Sequence, residues 1–213
     1  MLATLKDYLE LIETEAIKDG LADFRLAREE FHNLTGKFED GEPWFELRMT
    51  MFLDWYLLDR PGPHGIAPTE RFLTLRGHEL DSAEHAQMEY LTVTLRSVFK
   101  MIEVKDDVLR IEDLARGGHW LVHSLMPTVG LEKDDILDTR IVYFNGRPTV
   151  GRGTVLHLRE ANEAIEAIVG RARAESMEPR VLIDHLDKMR LKLDRYSNVR
   201  IQHVYRYPGE TPF

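Results

Sequence analysis

The hydrophobic period of this 213-residue chain changes twice. Up to about Leu95 the apolar residues recur every three to four positions. From Ser97 they alternate, and from Arg159 the helical spacing returns. A period of 3.6 buries one stripe of a helix and a period of 2 buries one face of a strand. A segment of either kind therefore loses its buried face if it adopts the other conformation.

In the first segment Leu5, Tyr8, Leu9, Ile12 and Ala16 form one stripe, stopped by Gly20. Phe24, Ala27, Phe31 and Leu34 form a second, stopped by Gly36. Asp40 is expected to cap a third helix with Pro43 in its first turn, running from Trp44 to Asp59, before Arg60-Pro61-Gly62-Pro63-His64-Gly65 breaks the chain. A short helix from Pro68 and one capped by Asp81 or Ser82 and reaching about Leu95 complete the region. In the middle segment Val98 to Val104 and Val108 to Ile111 read as strands across an Asp106-Asp107 turn. A third strand runs from His119 to Leu125. Ile136–Phe144 and Thr149–Leu158 are joined by Asn145-Gly146, a strong two-residue hairpin signal. Five short strands with tight turns predict a small antiparallel barrel. Helices follow, with an alternating Val199–Tyr207 stretch expected as a terminal edge strand. No linker separates the regions 1–96, 97–158 and 159–213, so the expectation is one cooperative α+β unit. In it a helical N-terminal region, a five-stranded antiparallel barrel and C-terminal helices packing back form one body.

Charge is segregated along the chain. The net charge is -9, and residues 1–96 hold 19 acids against 10 bases, whereas residues 159–213 hold 9 against 10. An acidic balance disfavours a protein whose main task is to grip nucleic acid. With no cysteine, thiol catalysis, disulfides and cysteine-ligated metals are excluded. No apolar run approaches the ~20 residues of a membrane helix, and the N-terminal stretch lacks the features of a signal peptide. A soluble, cytoplasmic protein without membrane contact is expected.

Motifs of catalysis are scarce. Glu29-x-x-His32 is a single Glu-x-x-His where a di-metal bundle needs two. His119 and His123 share a strand face but lie about 13 Å apart, too far for one ion. There is no Gly-x-Ser-x-Gly elbow, and Gly151-Arg152-Gly153 lacks the ending of a phosphate loop and reads as a bulge or turn. No metal or cofactor is expected. The aromatic helix is the most distinctive feature: Trp44, Phe45, Phe52, Trp55 and Tyr56, with Met49 and Met51, make it apolar over so wide an arc that it is a central core helix or docks a partner. Between Arg180 and Arg206 seven bases, Arg190 and Arg195 among them, face three acids.

Two stretches together resemble a known group. One is Met51-Phe52-Leu53-Asp54-Trp55-Tyr56-Leu57-Leu58-Asp59 followed by Gly65-Ile66-Ala67-Pro68-Thr69-Glu70-Arg71-Phe72-Leu73. The other is Leu109-Arg110-Ile111-Glu112-Asp113-Leu114 with Leu131-Glu132-Lys133-Asp134-Asp135-Ile136-Leu137. Their order is similar to that of uncharacterised bacterial proteins that join a helical region to a small β-barrel, some with a Cys-rich SEC-C tail. The resemblance covers roughly residues 40–158. It implies an architecture and no activity, and without cysteine the metal role of such a tail does not carry over.

The sequence thus points first to a non-enzymatic interaction or regulatory module that binds another protein through Trp44, Met51, Trp55, Tyr56, Arg190 and Arg195. A homodimer is expected from attraction between the acidic first segment and the basic C-terminal one. The alternative is a small-molecule or metal-dependent hydrolase with a site at the helix–barrel junction. A third reading has the basic C-terminal segment touch nucleic acid.

Overall fold

The computed structural model describes residues 2–125, 127–196 and 199–210. Five helices come first: α1 (Leu5–Asp19), α2 (Leu21–Thr35), α3 (Phe45–Leu58), α4 (Pro68–Arg76) and α5 (Ser82–Leu91). Local chemistry sets their ends. Thr4 and Asp7 form a capping box on α1, Asp81 and Glu84 form one on α5, and Gly36 closes α2 at φ 97°. Asp40 does not cap α3. Residues 40–44 form a turn, and the helix starts at Phe45, whose N–H donates to the Glu42 carbonyl at 3.0 Å.

Six strands follow: β1 (Leu95–Lys105), β2 (Val108–Asp113), β3 (His119–His123), β4 (Ile136–Phe144), β5 (Arg147–Val150) and β6 (Val155–Leu156). Both two-residue turns form where expected. Lys105 pairs with Val108 around Asp106 (φ 54°), and Phe144 pairs with Arg147 around Asn145 (φ 49°) and Gly146 (φ 74°). The pairings run β1–β2–β3–β5–β4 and return to β1 through Leu95↔Ile141 to Lys100↔Ile136.

The expected five antiparallel strands are corrected in two respects. The run Thr149–Leu158 is split at Gly151-Arg152-Gly153 into β5 and β6, both paired to β4. The sheet is also mixed, because β3 and β5 are parallel at His123↔Thr149. A closed circuit of five strands cannot alternate direction all the way round, so one neighbouring pair must run parallel.

The C-terminal region holds α6 (Asn162–Ala174), α7 (Pro179–Arg195) and α8 (Ile201–Val204). The predicted terminal edge strand is absent: the Tyr205 N–H donates to the Ile201 carbonyl at 2.9 Å. Val204, Tyr205 and Tyr207 are all buried, a pattern that two-fold alternation cannot satisfy.

β4 is the strand about which everything packs. Its residues Ile136 to Val142 are all buried. Leu137 and Ile141 point into the sheet interior with Phe99, Met101, Leu109, Ile111 and Val122. Ile136 and Val98 meet α6 and α7 through Ile165, Leu182, Ile183 and Leu186. Val142, Phe144 and Val155 join the core of the N-terminal helices. Gly153 lets α3 approach this side: a Cβ there would lie 3.1 Å from the Met51 Cα.

Candidate functional site

The N-terminal helices leave a cleft of about 330 Å³. Its walls are the second half of α1 (Ile12, Glu15, Ala16), the start of α2 (Gly20, Asp23), and α4 (Pro68, Arg71, Phe72, Leu75, Arg76). Tyr56 of α3 forms part of its floor, and the Gly62–Ile66 loop forms its rim. The cleft follows from local rules. Pro61 and Pro63 forbid helix continuation, so the chain turns out of α3. The Gly62 N–H then donates to the Ile66 carbonyl and the Gly65 N–H to the Gly62 carbonyl, each at 2.9 Å, which closes the loop on itself. Thr69 Oγ1 donates to the Leu57 carbonyl at 2.8 Å and ties α4 to the end of α3.

The cleft is lined by apolar and charged side chains in similar measure, and its Asp, Glu and Arg side chains are engaged. Arg60, 7% exposed, donates to Asp23 at 2.9 Å and to Glu30 at 2.5 Å. Tyr56 Oη lies 3.4 Å from Asp23. Arg76 bridges Glu15 at 3.0 Å and Glu79 at 2.5 Å, and Lys18 reaches Glu15 at 2.8 Å. A volume in this range, with an apolar floor and a few fixed polar groups, is typical of small-ligand pockets of roughly 300–1,000 Å³.

The residues singled out from sequence lie elsewhere, apart from Tyr56. Tyr56 and Met51 are interior, 2% and 6% exposed. Trp44 and Trp55 are half-buried; the Trp44 indole donates to Glu42 at 3.0 Å and Trp55 packs on Phe31 with ring centroids 5.4 Å apart. Phe52 is fully buried against Phe24. The helix is thus surrounded on most sides by α1, α2, α4 and the sheet, and Trp44, Phe45 and Trp55 leave part of a ring towards solvent. Arg190 is held by Asp194 at 2.9 Å and by the Leu156 carbonyl. Arg195 pairs with Glu42 at 2.8 Å. The acidic first segment and the basic C-terminal segment therefore meet within one chain at this point, which uses part of the attraction that motivates a dimer.

A second concentration of ionisable groups lies at the junction of α3, β1, β4 and α7. Arg96 donates to Asp184 at 2.8 Å, to Asp187, and more distantly to Asp138 at 3.4 Å. Arg48, 1% exposed, donates to the Asp187 carbonyl at 2.9 Å. Burial opposes the Arg96 charge, but Asp138, Asp187 and Asp184 outweigh it and hold its pKa above the usual value. Burial, reinforced by Asp187, pushes the Asp138 carboxyl well above the carboxylate range. Beside them His157 meets the Tyr205 hydroxyl at 2.9 Å, and burial, with Arg190 and Arg48 nearby, pushes it down to about 3. The junction does gather a histidine and carboxylates from different segments. Asp138, Asp187 and His157 are nevertheless 0–1% exposed, and none of them lines the cleft.

Glu29 and His32 do not form a metal set. His32 packs edge-on against Phe38 with centroids 4.7 Å apart, and burial lowers its pKa. Among the described residues no group of three or more His, Asp or Glu side chains is placed to hold a metal, and no helix is long and apolar enough to cross a membrane. Sequence reasoning passed over Ile12, Asp23, His64, Arg71 and Leu75; the signal that could have found the cleft is the Pro-Gly-Pro-His break between two helices, read only as a boundary. Comparison of the chain with protein-family models, with curated proteins and with solved structures finds no match.

Proposed function

We propose that the protein is a non-enzymatic binding module, of a regulatory or adaptor kind, that takes a small molecule in the cleft between α1 and α4. One observation carries this reading: the cleft combines an apolar floor and preformed walls with a charged rim, whereas the groups best suited to acid–base chemistry are sealed at the α3–β4–α7 junction. On this reading the closed circuit of strands is a small barrel that serves as scaffold, and β4 holds the N-terminal and C-terminal helices in fixed relation to the cleft.

The test is direct. Ala16 faces the cleft from a helix interior, so Ala16→Phe fills the space without breaking a cap or an ion pair. A small-molecule screen followed by thermal melting is expected to find compounds that stabilise the parent protein and not the Ala16→Phe variant. Compounds that stabilise both equally bind elsewhere and would remove the cleft from the account. The part-exposed Trp44 and Trp55 keep a second reading open, in which a partner protein covers this edge of α3. Pull-down that is lost in Trp55→Ala, with the fold intact, would support it.

A further inference from the structure

The charges that line the cleft say what kind of molecule it takes. Glu15 is held by Lys18 at 2.8 Å and by Arg76 at 3.0 Å. Arg76 also grips Glu79 at 2.5 Å, and Asp23 is tied to the buried Arg60 at 2.9 Å. Arg71 is engaged as well. Sites built for an anion present cations whose charge awaits the ligand, and sites built for a cation present unpaired carboxylates. Here a charged ligand would have to shed its water beside charged side chains that are already engaged, and would gain a counter-charge only by displacing one of their partners.

What the cleft lacks is a cover for its apolar surface. Ile66 and Leu75 are 37% and 50% exposed on its rim, and Ile12, Phe72 and Tyr56 lie beneath. Among the described residues His64 is the ionisable lining group without a hydrogen-bond or ion-pair partner, and it sits on the closed Gly62–Ile66 loop. The volume of about 330 Å³ falls at the lower end of the range for small-ligand pockets and leaves room for one or two fused rings.

Resting on the reading of this cleft as a ligand site, we infer that it takes a neutral, compact, mainly apolar molecule with one hydroxyl or carbonyl group directed at His64. Apolar burial against Ile66 and Leu75, with the edge of Phe72 beneath them, supplies the attraction, and His64 fixes the orientation.

Three probes of one shape separate the class of ligand from the site. 2-Naphthol, 2-naphthoate and 2-(aminomethyl)naphthalene carry a neutral, an anionic and a cationic group on the same ring at pH 7.5. Each is titrated into the isotopically labelled full chain and followed by amide chemical shifts. Naphthol is expected to bind at least tenfold more tightly than either charged probe, moving the signals of Ala16, Ile66 and Leu75. Leu75→Asp and Ala16→Phe are each expected to abolish that response. His64→Ala is expected to weaken naphthol several-fold and leave unsubstituted naphthalene unchanged. If a charged probe binds as tightly at the same residues, the neutral class is wrong and the cleft stands as a ligand site. If no probe moves those signals, the cleft reading and the ligand class both fall.

Discussion

Arg96 of β1 and Asp184 of α7 meet at 2.8 Å across 88 residues of chain, and the same guanidinium also holds Asp187 and reaches Asp138. One buried cation thereby joins the sheet to the C-terminal helices. Arg48 of α3, donating to the Asp187 carbonyl, draws the N-terminal helices to the same point. The junction thus draws side chains of three regions of the chain to one point.

Removing the cation is expected to be costly. Arg96→Met removes the cation that Asp138, Asp184 and Asp187 share, two of them fully buried, and breaking a buried charge pair by removing one partner costs about 3–5 kcal/mol. Urea unfolding of the variant is the measurement. A loss below about 1 kcal/mol would show that the junction does not hold the regions together.

Asp138 makes stability fall as pH rises. Its pKa in the fold lies above its ordinary value of 3.8, so folding favours the protonated form. Its contribution is complete below the unfolded pKa and is lost as pH climbs through the folded one. Asp138→Asn carries no charge to lose. The variant is expected to melt higher than the parent at pH 8 and close to it at pH 4. Equal or lower melting at pH 8 contradicts the assignment.

His157 acts in the opposite direction. Its pKa is pushed from 6.5 to about 3, so the unfolded chain takes up a proton that the folded chain refuses. Stability from this group is present above the unfolded pKa and drains away as pH falls from about 6.5 towards 3. Between pH 7 and pH 5 the loss is about 2 kcal/mol, since each pKa unit is worth roughly 1.4 kcal/mol. Denaturant titrations at the two pH values should show that difference shrinking in His157→Gln, and an unchanged difference would mean that the ring is not held neutral.

The β4–β5 hairpin tolerates few residues at its tip. Asn145 and Gly146 both have positive φ, at 49° and 74°, which β-branched residues avoid. Replacing both with valine is expected to destabilise the protein by about 1–3 kcal/mol. Melting at the parent temperature would mean that the turn relaxes into another type.

Gly153 sets the approach of α3 to the sheet. A methyl group there would stand 3.1 Å from the Met51 Cα, a backbone atom that cannot swing aside. Gly153→Ala is expected to cost about 1–3 kcal/mol through displacement of α3. Gly146→Ala, in open space, serves as a control that pays only for its backbone angle.

Much of the fold is written locally. The stripe of Leu5–Ala16, the cap at Asp81, the stop at Gly36 and the turn at Asn145-Gly146 depend on residues within a few positions of one another, and each was legible as such, whereas Leu34, expected on the second stripe, is exposed. The change of period at Ser97 and Arg159 gave the order of helical and strand regions for the same reason. What packing alone decided involves residues far apart in the chain. Arg48 reaches Asp187 over 139 residues and Arg195 reaches Glu42 over 153, and no spacing rule predicts either contact. The parallel β3–β5 pair arises because the circuit closes, a property of all five strand positions together. The alternation of Val199–Tyr207 was overruled because Val204, Tyr205 and Tyr207 are all buried, Tyr205 against His157 and Tyr207 beneath Arg171. The breadth of the apolar arc on α3 favoured a core helix over a docking face, and the surrounding α1, α2, α4 and sheet bury most of it. The cleft itself is a space between helices, and a space has no residue pattern of its own: it lies where α1, the start of α2, α4 and the Gly62–Ile66 loop meet around Tyr56.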